Sequence, residues 1–409
     1  MSFPPIDEQL TILRRGTVEI VPDEELVEKL NNSLKTNTPL RIKLGCDPTR
    51  PDLHLGHSVI LRKLRQFQDL GHQAILIIGD FTGMIGDPSG VNKTRPSLSH
   101  QAMRENAKTY YEQASRILDP EKTSIVYNSE WLGEMKFGDV IRLASRVTLA
   151  RMIERDDFAN RYAKEEPISM HEFLYPLAQG QDSVHLKSDV ELGGTDQKFN
   201  LLVGRHLQRE NGLPQQICLM MPLLIGTDGS QKMSKSYDNY IGLNDPPDDM
   251  YGKTLSIPDD LIYSYFELVT DAPVELLPEI KEKASIDPRN SKHDLAFTLT
   301  RMYHGEGAAN QARDRFQKTV VNKEIPDEIP ELVFEANSSQ NLINIIKETG
   351  FAPSASEARR WVKQGGVSLD GEKMVDAGHE IHFKAGSEFI LKVGKRKYCR
   401  LRTAYRVGR

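Results

Sequence analysis

Residues 74–79, AILIIG, form an uninterrupted apolar run. A strand this uniformly apolar is at home only where both faces are covered, which calls for a sheet with helices above and below it. The flanking sequence agrees. Residues 41–45 (RIKLG) read as a short strand, followed by the turn residues DPTRPD. Between 58 and 70, Val59, Ile60, Leu61, Leu64, Phe67 and Leu70 recur at helical spacing, and Gly71 is a natural stop. Helix-like segments around 100–118 and 139–155 flank the strand-like 123–127. Strand alternating with helix predicts an α/β fold with a Rossmann-like, doubly wound parallel sheet over roughly residues 35–225.

The rest of the chain divides by composition. At about 100–200 residues per domain, 409 residues suggest about two to four domains. We expect an N-terminal helical segment (1–34), the Rossmann-like domain (35–245), and a helical domain (246–321) with segments near 259–269, 274–284 and 291–318. An acidic, proline-containing linker without clear period (322–340) and a small α+β module (341–409) follow. Residues 341–409 carry 14 Lys/Arg against 7 Asp/Glu, whereas the first 340 carry 39 against 51. A basic end on an acidic body suits a polyanion-binding appendage; a solvated basic tail is the alternative. In KVGKRKYCRLRTAYRV the charges alternate with aromatic and aliphatic residues, which reads better as a closing strand with basic edges.

Several classes are excluded. No uncharged apolar run approaches the roughly 18 residues of a membrane span, and MSFPPIDEQLTILRRG lacks the pattern of a secretory signal. Three scattered cysteines, Cys46, Cys218 and Cys399, provide neither a disulfide scaffold nor a CxxC zinc site. The expectation is a cytoplasmic protein with no membrane partner.

Two short motifs carry chemistry. HLGH, with His54 and His57, follows a strand and opens a helix. Imidazoles at a helix N-terminus, beside the approachable backbone of Gly56, can cradle phosphate oxygens. The same pair could ligate a metal or cap the helix, although no third His or Cys lies nearby in sequence. KMSKS, with Lys232, Lys235 and Ser236, sits in a loop marked by Gly226, Asp228, Gly229 and Ser230. Ammonium groups on a mobile segment suit a departing diphosphate, and such a pentapeptide can also be an ordinary exposed loop. Together, in this order and about 175 residues apart, the two motifs favour nucleotide chemistry.

HLGH and KMSKS resemble the two signatures of class I aminoacyl-tRNA synthetases. GCDPTRPDLHLGH, GDFTGMIGDPSG (79–90), YPLAQGQD (175–182) and GGTDQKFN (193–200) are similar to the bacterial-type tyrosyl-tRNA synthetases, over nearly the whole chain. SASEARRWVKQGGVSLDGE (354–372) resembles an RNA-binding module first seen in a small-subunit ribosomal protein; tryptophanyl relatives lack that module.

The resemblance implies a ligase that activates L-tyrosine with ATP, accompanied by Mg2+ but with no dedicated protein metal cage. It then passes tyrosine to the 3'-terminal adenosine of tRNA(Tyr) and works as a homodimer. By motif, His54 and His57 hold phosphate oxygens, while Lys232, Lys235 and Ser236 clamp the diphosphate. Asp47, Thr49, Gly56, Gly194, Asp196 and Lys235 meet ATP. Asp87, Tyr175, Gln179 and Gln197 serve the substrate ammonium, and Asp182 accepts from its phenol. Tyr175, Gln179 and Asp182 fall at i, i+4 and i+7, so a helix presents them on one face. Arg359, Arg360, Lys363, Lys395, Arg396 and Lys397 are candidates for tRNA.

Three points stay open at this level. Lys43 stands where many relatives carry a tyrosine, and it either donates to the phenol or points elsewhere. Lys93 and Arg95 either approach ATP or are solvated. The apolar face around 139–153 is either a dimer interface or a core helix. The competing activities are a nucleotidyltransferase without tRNA, a non-enzymatic RNA-binding descendant of a synthetase, and the tryptophanyl enzyme.

Overall fold

The computed structural model describes residues 3–48, 52–87, 100–321, 329–394 and 397–403. Thr49, Lys93, Arg95, Lys395 and Arg396 lie outside the described residues. The chain forms two units, Met1–Ala309 and Asn310–Arg409, each with its own core.

In the first unit six strands form one sheet in the order β1-β6-β5-β2-β3-β4. They are β1 (Glu19–Val21), β2 (Arg41–Cys46), β3 (Gln73–Ile78), β4 (Thr123–Tyr127), β5 (Val190–Gly194) and β6 (Ile217–Met221). All neighbours are parallel except β1, which pairs antiparallel with β6, Ile20 opposite Leu219. The apolar run at 74–78 is buried throughout, as a central strand requires. The helix Leu55–Asp69 lies across the sheet and buries Leu61, Leu64 and Phe67 completely. Each such side chain contributes about 1.5–3 kcal/mol relative to exposure, so truncating Leu64 to Ala should cost about 2–5 kcal/mol.

The N-terminal segment contributes more than helices. Its helices Ile6–Arg14 and Asp23–Thr36 send Leu10, Leu13, Leu26 and Leu30 into the main core, and β1 closes an edge of the sheet. The helical region after Pro246 joins that core as well, through Ile262, Tyr265, Val269, Leu295 and Leu299.

The second unit corrects the linker reading of 322–340. β7 (Glu331–Phe334) falls inside that stretch, and β8 (Ser338–Asn341) begins in it. A five-stranded sheet runs β10-β9-β12-β13-β7, with β9 (Val367–Leu369), β10 (Glu372–Met374), β12 (Glu388–Val393) and β13 (Lys397–Thr403). β8 pairs with β11 (Glu380–Phe383). ELVF shows no period because a four-residue strand is too short to display one, and its ladder partner, β13, lies far along the chain. The single closing strand expected of the basic end is instead two: Lys392 and Val393 end β12, and Lys397–Thr403 form β13, which pairs antiparallel with it. Among the described residues no helix is long and apolar enough to cross a membrane.

Candidate active site

The strand order reverses between β2 and β5, with β3 and β4 to one side and β6 and β1 to the other. Open α/β sheets place ligands outside the carboxyl ends of their strands at such a point, where the outgoing segments diverge. Asp47 follows β2, Gly79 and Asp80 follow β3, Asn128 follows β4, and Gly194 ends β5. Packing at this edge is close: a Cβ on Gly79 would lie 1.9 Å from Asp47 Oδ1, so only glycine lets that carboxylate settle there.

The helix Leu55–Asp69 begins at this edge with HLGH. His54 is its N-cap, and its Nδ1 accepts from the Gly56 amide at 3.1 Å. His57 Nδ1 accepts from the His54 amide at 3.2 Å, and the rings lie 4.0 Å apart. Capping and the phosphate-binding reading therefore hold together. Because each Nδ1 is an acceptor, each ring keeps its proton on Nε2, the nitrogen left to meet a ligand. Burial, with the charge of Lys235 adding to it, lowers the His57 pKa to about 4; His54 is lowered further, by burial, His57 and Lys235. Both rings are neutral donors at physiological pH.

The KMSKS segment lies against this helix. Residues 241–243 run antiparallel to 53–55, with Leu55 N donating to Ile241 O (2.9 Å) and Leu243 N to Leu53 O (3.0 Å). Met233 is buried in the main core and packs at Gly56, while the lysines on either side of it are half-buried. Lys235 Nζ bonds Asp52 Oδ2 at 2.6 Å, and Lys232 Nζ lies 3.9 Å from Asp196 Oδ2. Asp196, beyond β5, has its pKa raised by burial, against the pull of Lys232. The Ser236 amide donates to Ser234 Oγ. The loop thus brings Lys235 to the Tyr240 ring, which also neighbours His54 at the helix start.

The helix Leu174–Leu186 supplies the opposite wall, and Tyr175, Gln179 and Asp182 share its inner side as the spacing predicts. Tyr175 Oη donates to Asp47 Oδ2 (2.8 Å), and Thr82 Oγ1 donates to Asp47 Oδ1 (2.7 Å). Burial and Asp47 push the Tyr175 phenol well up, so it remains a donor. Asp87 accepts from Gln197 Nε2 (2.7 Å) and Arg155 Nη2 (2.9 Å). Asp182 is 3% exposed and accepts from Trp131 Nε1 (2.8 Å) and Asn128 Nδ2 (3.3 Å). Burial raises its pKa to about 7 despite Lys43 and these two donors. Asn128, Trp131, Thr82, Arg155 and Asp52 were not anticipated. The rule that ligands gather beyond strand ends singles out Asn128; nothing in the sequence points to Arg155, 68 residues from Asp87.

Lys43 is engaged by Glu191 and by the helix Leu174–Leu186. It is fully buried, with Nζ 2.9 Å from Glu191 Oε1, 2.9 Å from Gln179 O and 2.7 Å from Ser183 Oγ. In the second unit, Arg359, Arg360 and Lys363 stand exposed on the helix Ala355–Lys363. Lys397 adjoins that helix, 5.4 Å from the Trp361 ring centre, and donates to Phe351 O (2.7 Å). Among the described residues no group of three or more His, Cys, Asp or Glu side chains is arranged to hold a metal.

Comparison with known proteins agrees with this architecture. Residues 35–321 match the model of tRNA synthetases class I (W and Y), and residues 321–401 match the tyrosine--tRNA ligase SYY-like C-terminal domain. The chain is 58% identical over 404 residues to the tyrosine--tRNA ligase of Salinibacter ruber, covering 98% of each chain. It is 55% identical to that of Chlorobaculum tepidum, covering 99% of each. In fold it is similar to the tyrosyl-tRNA synthetase of Archaeoglobus fulgidus complexed with L-tyrosine, with a TM-score of 0.62, 24% identity and coverage of 76% of this chain and 100% of that one. A signature helix and a signature loop joined over one switch point, with these matches spanning the chain, lead to one conclusion: it belongs to the tyrosyl-tRNA synthetases of class I.

Proposed function

We propose that the switch-point crevice is where this tyrosine--tRNA ligase makes tyrosyl-adenylate and hands it to tRNA(Tyr). Family membership carries the overall reaction, with ATP as the energy source. The observation that supports the site is that Lys235 and His54 share a neighbour, Tyr240: Lys235 Nζ lies 5.6 Å from the centre of its ring, and the His54 ring lies 6.2 Å from it.

In this reading the tyrosine carboxylate attacks the α-phosphate in line, and no protein nucleophile is needed. Burial raises the thiol pKa values of Cys46, to about 12, and Cys218, so both thiols stay protonated. The two Nε2–H groups donate to phosphate oxygens as charge builds, without a change in their own protonation. Lys232, Lys235 and Ser236 leave their resting partners for the diphosphate, which arrives with Mg2+ held by its own oxygens. Asp47, Thr49, Gly56, Gly194 and Asp196 border the adenosine and ribose. Asp182 accepts from the phenol, and Asp87, Tyr175, Gln179 and Gln197 surround the ammonium. Phenylalanine would bring no donor to the buried Asp182, which would then keep only Trp131 and Asn128, and that lost bond disfavours the analogue.

The second unit takes the tRNA, with Arg359, Arg360, Lys363, Lys395, Arg396 and Lys397 contacting its backbone. Phe137, Ile141 and Leu149 stand exposed on neighbouring helices and supply a homodimer face. The cytoplasm is where tRNA(Tyr) and ATP are met. Amino-acid-dependent ATP–diphosphate exchange tests the reading: tyrosine supports exchange and tryptophan does not, and the opposite result overturns it. A chain ending at residue 321 should keep exchange and lose salt-sensitive tRNA charging.

A further inference from the structure

Resting on that reading of the tyrosine pocket, we infer that Lys43 and Glu191 act as a buried positioning pair that sets which atom of Gln179 faces the substrate. Lys43, at the centre of β2, and Glu191, on the neighbouring β5, are both essentially inaccessible. Neither reaches the pocket. Their hydrogen bonds do.

Glu191 collects donors from every side. Oε1 takes Lys43 Nζ (2.9 Å) and Gln179 Nε2 (3.0 Å); Oε2 takes Ser183 Oγ (3.0 Å) and Gln216 Nε2. A buried carboxylate accepts only, so the amide of Gln179 must turn its NH2 inward and its oxygen outward. That oxygen is held by Asn200 Nδ2 at 3.0 Å; the same Nδ2 reaches Gln197 Oε1 at 3.0 Å, and Gln197 Nε2 reaches Asp87 Oδ2. The chain of bonds therefore runs from Lys43 to Asp87, its donors pointing outward from Asn200 toward a carboxylate at each end, Glu191 on one side and Asp87 on the other. It presents oxygens to the place where an ammonium is expected.

Lys43 supplies what keeps this arrangement intact. Its ammonium, 2.9 Å from Glu191 Oε1, supplies the countercharge that a buried carboxylate needs. Its two other bonds, to Gln179 O and Ser183 Oγ, clamp the helix turn that carries Gln179 and Asp182. Lys43 also favours the ionised form of Asp182, and Glu191 opposes it more weakly. The other groups acting on that carboxylate are Trp131 and Asn128, which bond it, and Tyr175, whose phenol feels its charge. The pair is thus neutral overall toward the ammonium while fixing the polarity of its acceptors.

The test is Lys43→Met with Glu191→Gln in one chain, which keeps the core filled and removes both charges. The expected result in ATP–diphosphate exchange is a rise in KM for tyrosine of roughly 10–100-fold, the range for losing hydrogen bonds that involve a charged group. KM for ATP should stay within about twofold, and the acid limb of kcat/KM for tyrosine should move to higher pH. Ser183→Ala is the milder variant, expected to raise the tyrosine KM a few-fold in the same direction, and it decides the matter if the double variant does not fold. Unchanged tyrosine KM and acid limb in a folded variant, or equal rises for tyrosine and ATP, would overturn the inference. Asp182→Ala, run alongside, separates the two levels: if it harms tyrosine and ATP alike the pocket reading itself falls. If it harms tyrosine alone while the pair variants behave as wild type, only the role of Lys43 and Glu191 falls.

Discussion

The two walls of the crevice are built on opposite plans. On the side assigned to the amino acid the carboxylates are already engaged by the protein: Asp182 by Trp131 and Asn128, and Asp87 by Arg155 and Gln197. On the side assigned to phosphate the charged groups are lysines on a loop, resting on Asp52 and Asp196. Selection of a hydroxyl calls for acceptors that cannot relax when the wrong ligand enters. Phosphoryl transfer calls for cations free to follow charge as it moves. One rigid wall and one adjustable wall meet both demands.

The difference can be broken experimentally. Lys235→Ala should have the largest effect, a loss of roughly 10²–10³-fold in the rate of adenylate formation, as for other preorganised charge donors. KM for tyrosine should hardly move; a parallel rise in that KM, seen in single-turnover measurements, would mean the two walls are not independent. Asp182→Ala comes next. Removing a buried charged acceptor should lower kcat/KM for tyrosine by roughly 100-fold and leave ATP binding as it was, and exchange assays with each substrate varied in turn check this.

Trp131→Phe sharpens the contrast through pH. The Asp182 carboxyl, raised to about 7 by burial, must ionise to be a strong acceptor, so kcat/KM for tyrosine should fall as pH drops through about 7. The imidazoles cannot produce this limb, because they stay neutral down to about pH 4. Loss of the Trp131 donor removes a bond that favours the anion, so the limb should move to higher pH. A limb that stays put would assign it to another group. The smallest effect belongs to Asp52→Asn, which frees Lys235 from a surface pair; its ATP KM should change by no more than about fivefold, downward. A large change would show the phosphate wall to be as rigid as the other.

Much of this was legible from the chain alone. The parallel sheet followed from AILIIG and its helical flanks, and the shared face of Tyr175, Gln179 and Asp182 followed from their spacing. Strands β7 and β8 were not legible: each is four residues long, and each is held by partners well removed along the chain, so local composition spoke for a linker. An apolar helical stripe such as that around 139–153 looks alike in sequence whether it faces a core or solvent. The structure divides it, with Met152 buried and Ile141 and Leu149 exposed.

The order of residues by itself determined the motifs, the switch-point fold and the helix that carries the pocket, because periodicity and turn chemistry act over a few neighbouring positions. Only the tertiary structure decided where the polar groups point. Lys43 was a lysine of two possible directions until Glu191, 148 positions away, offered a buried countercharge, and Arg155 was anonymous until folding set it against Asp87. Charges taken out of water must find partners wherever the fold brings them, and those partners need not be near in the chain.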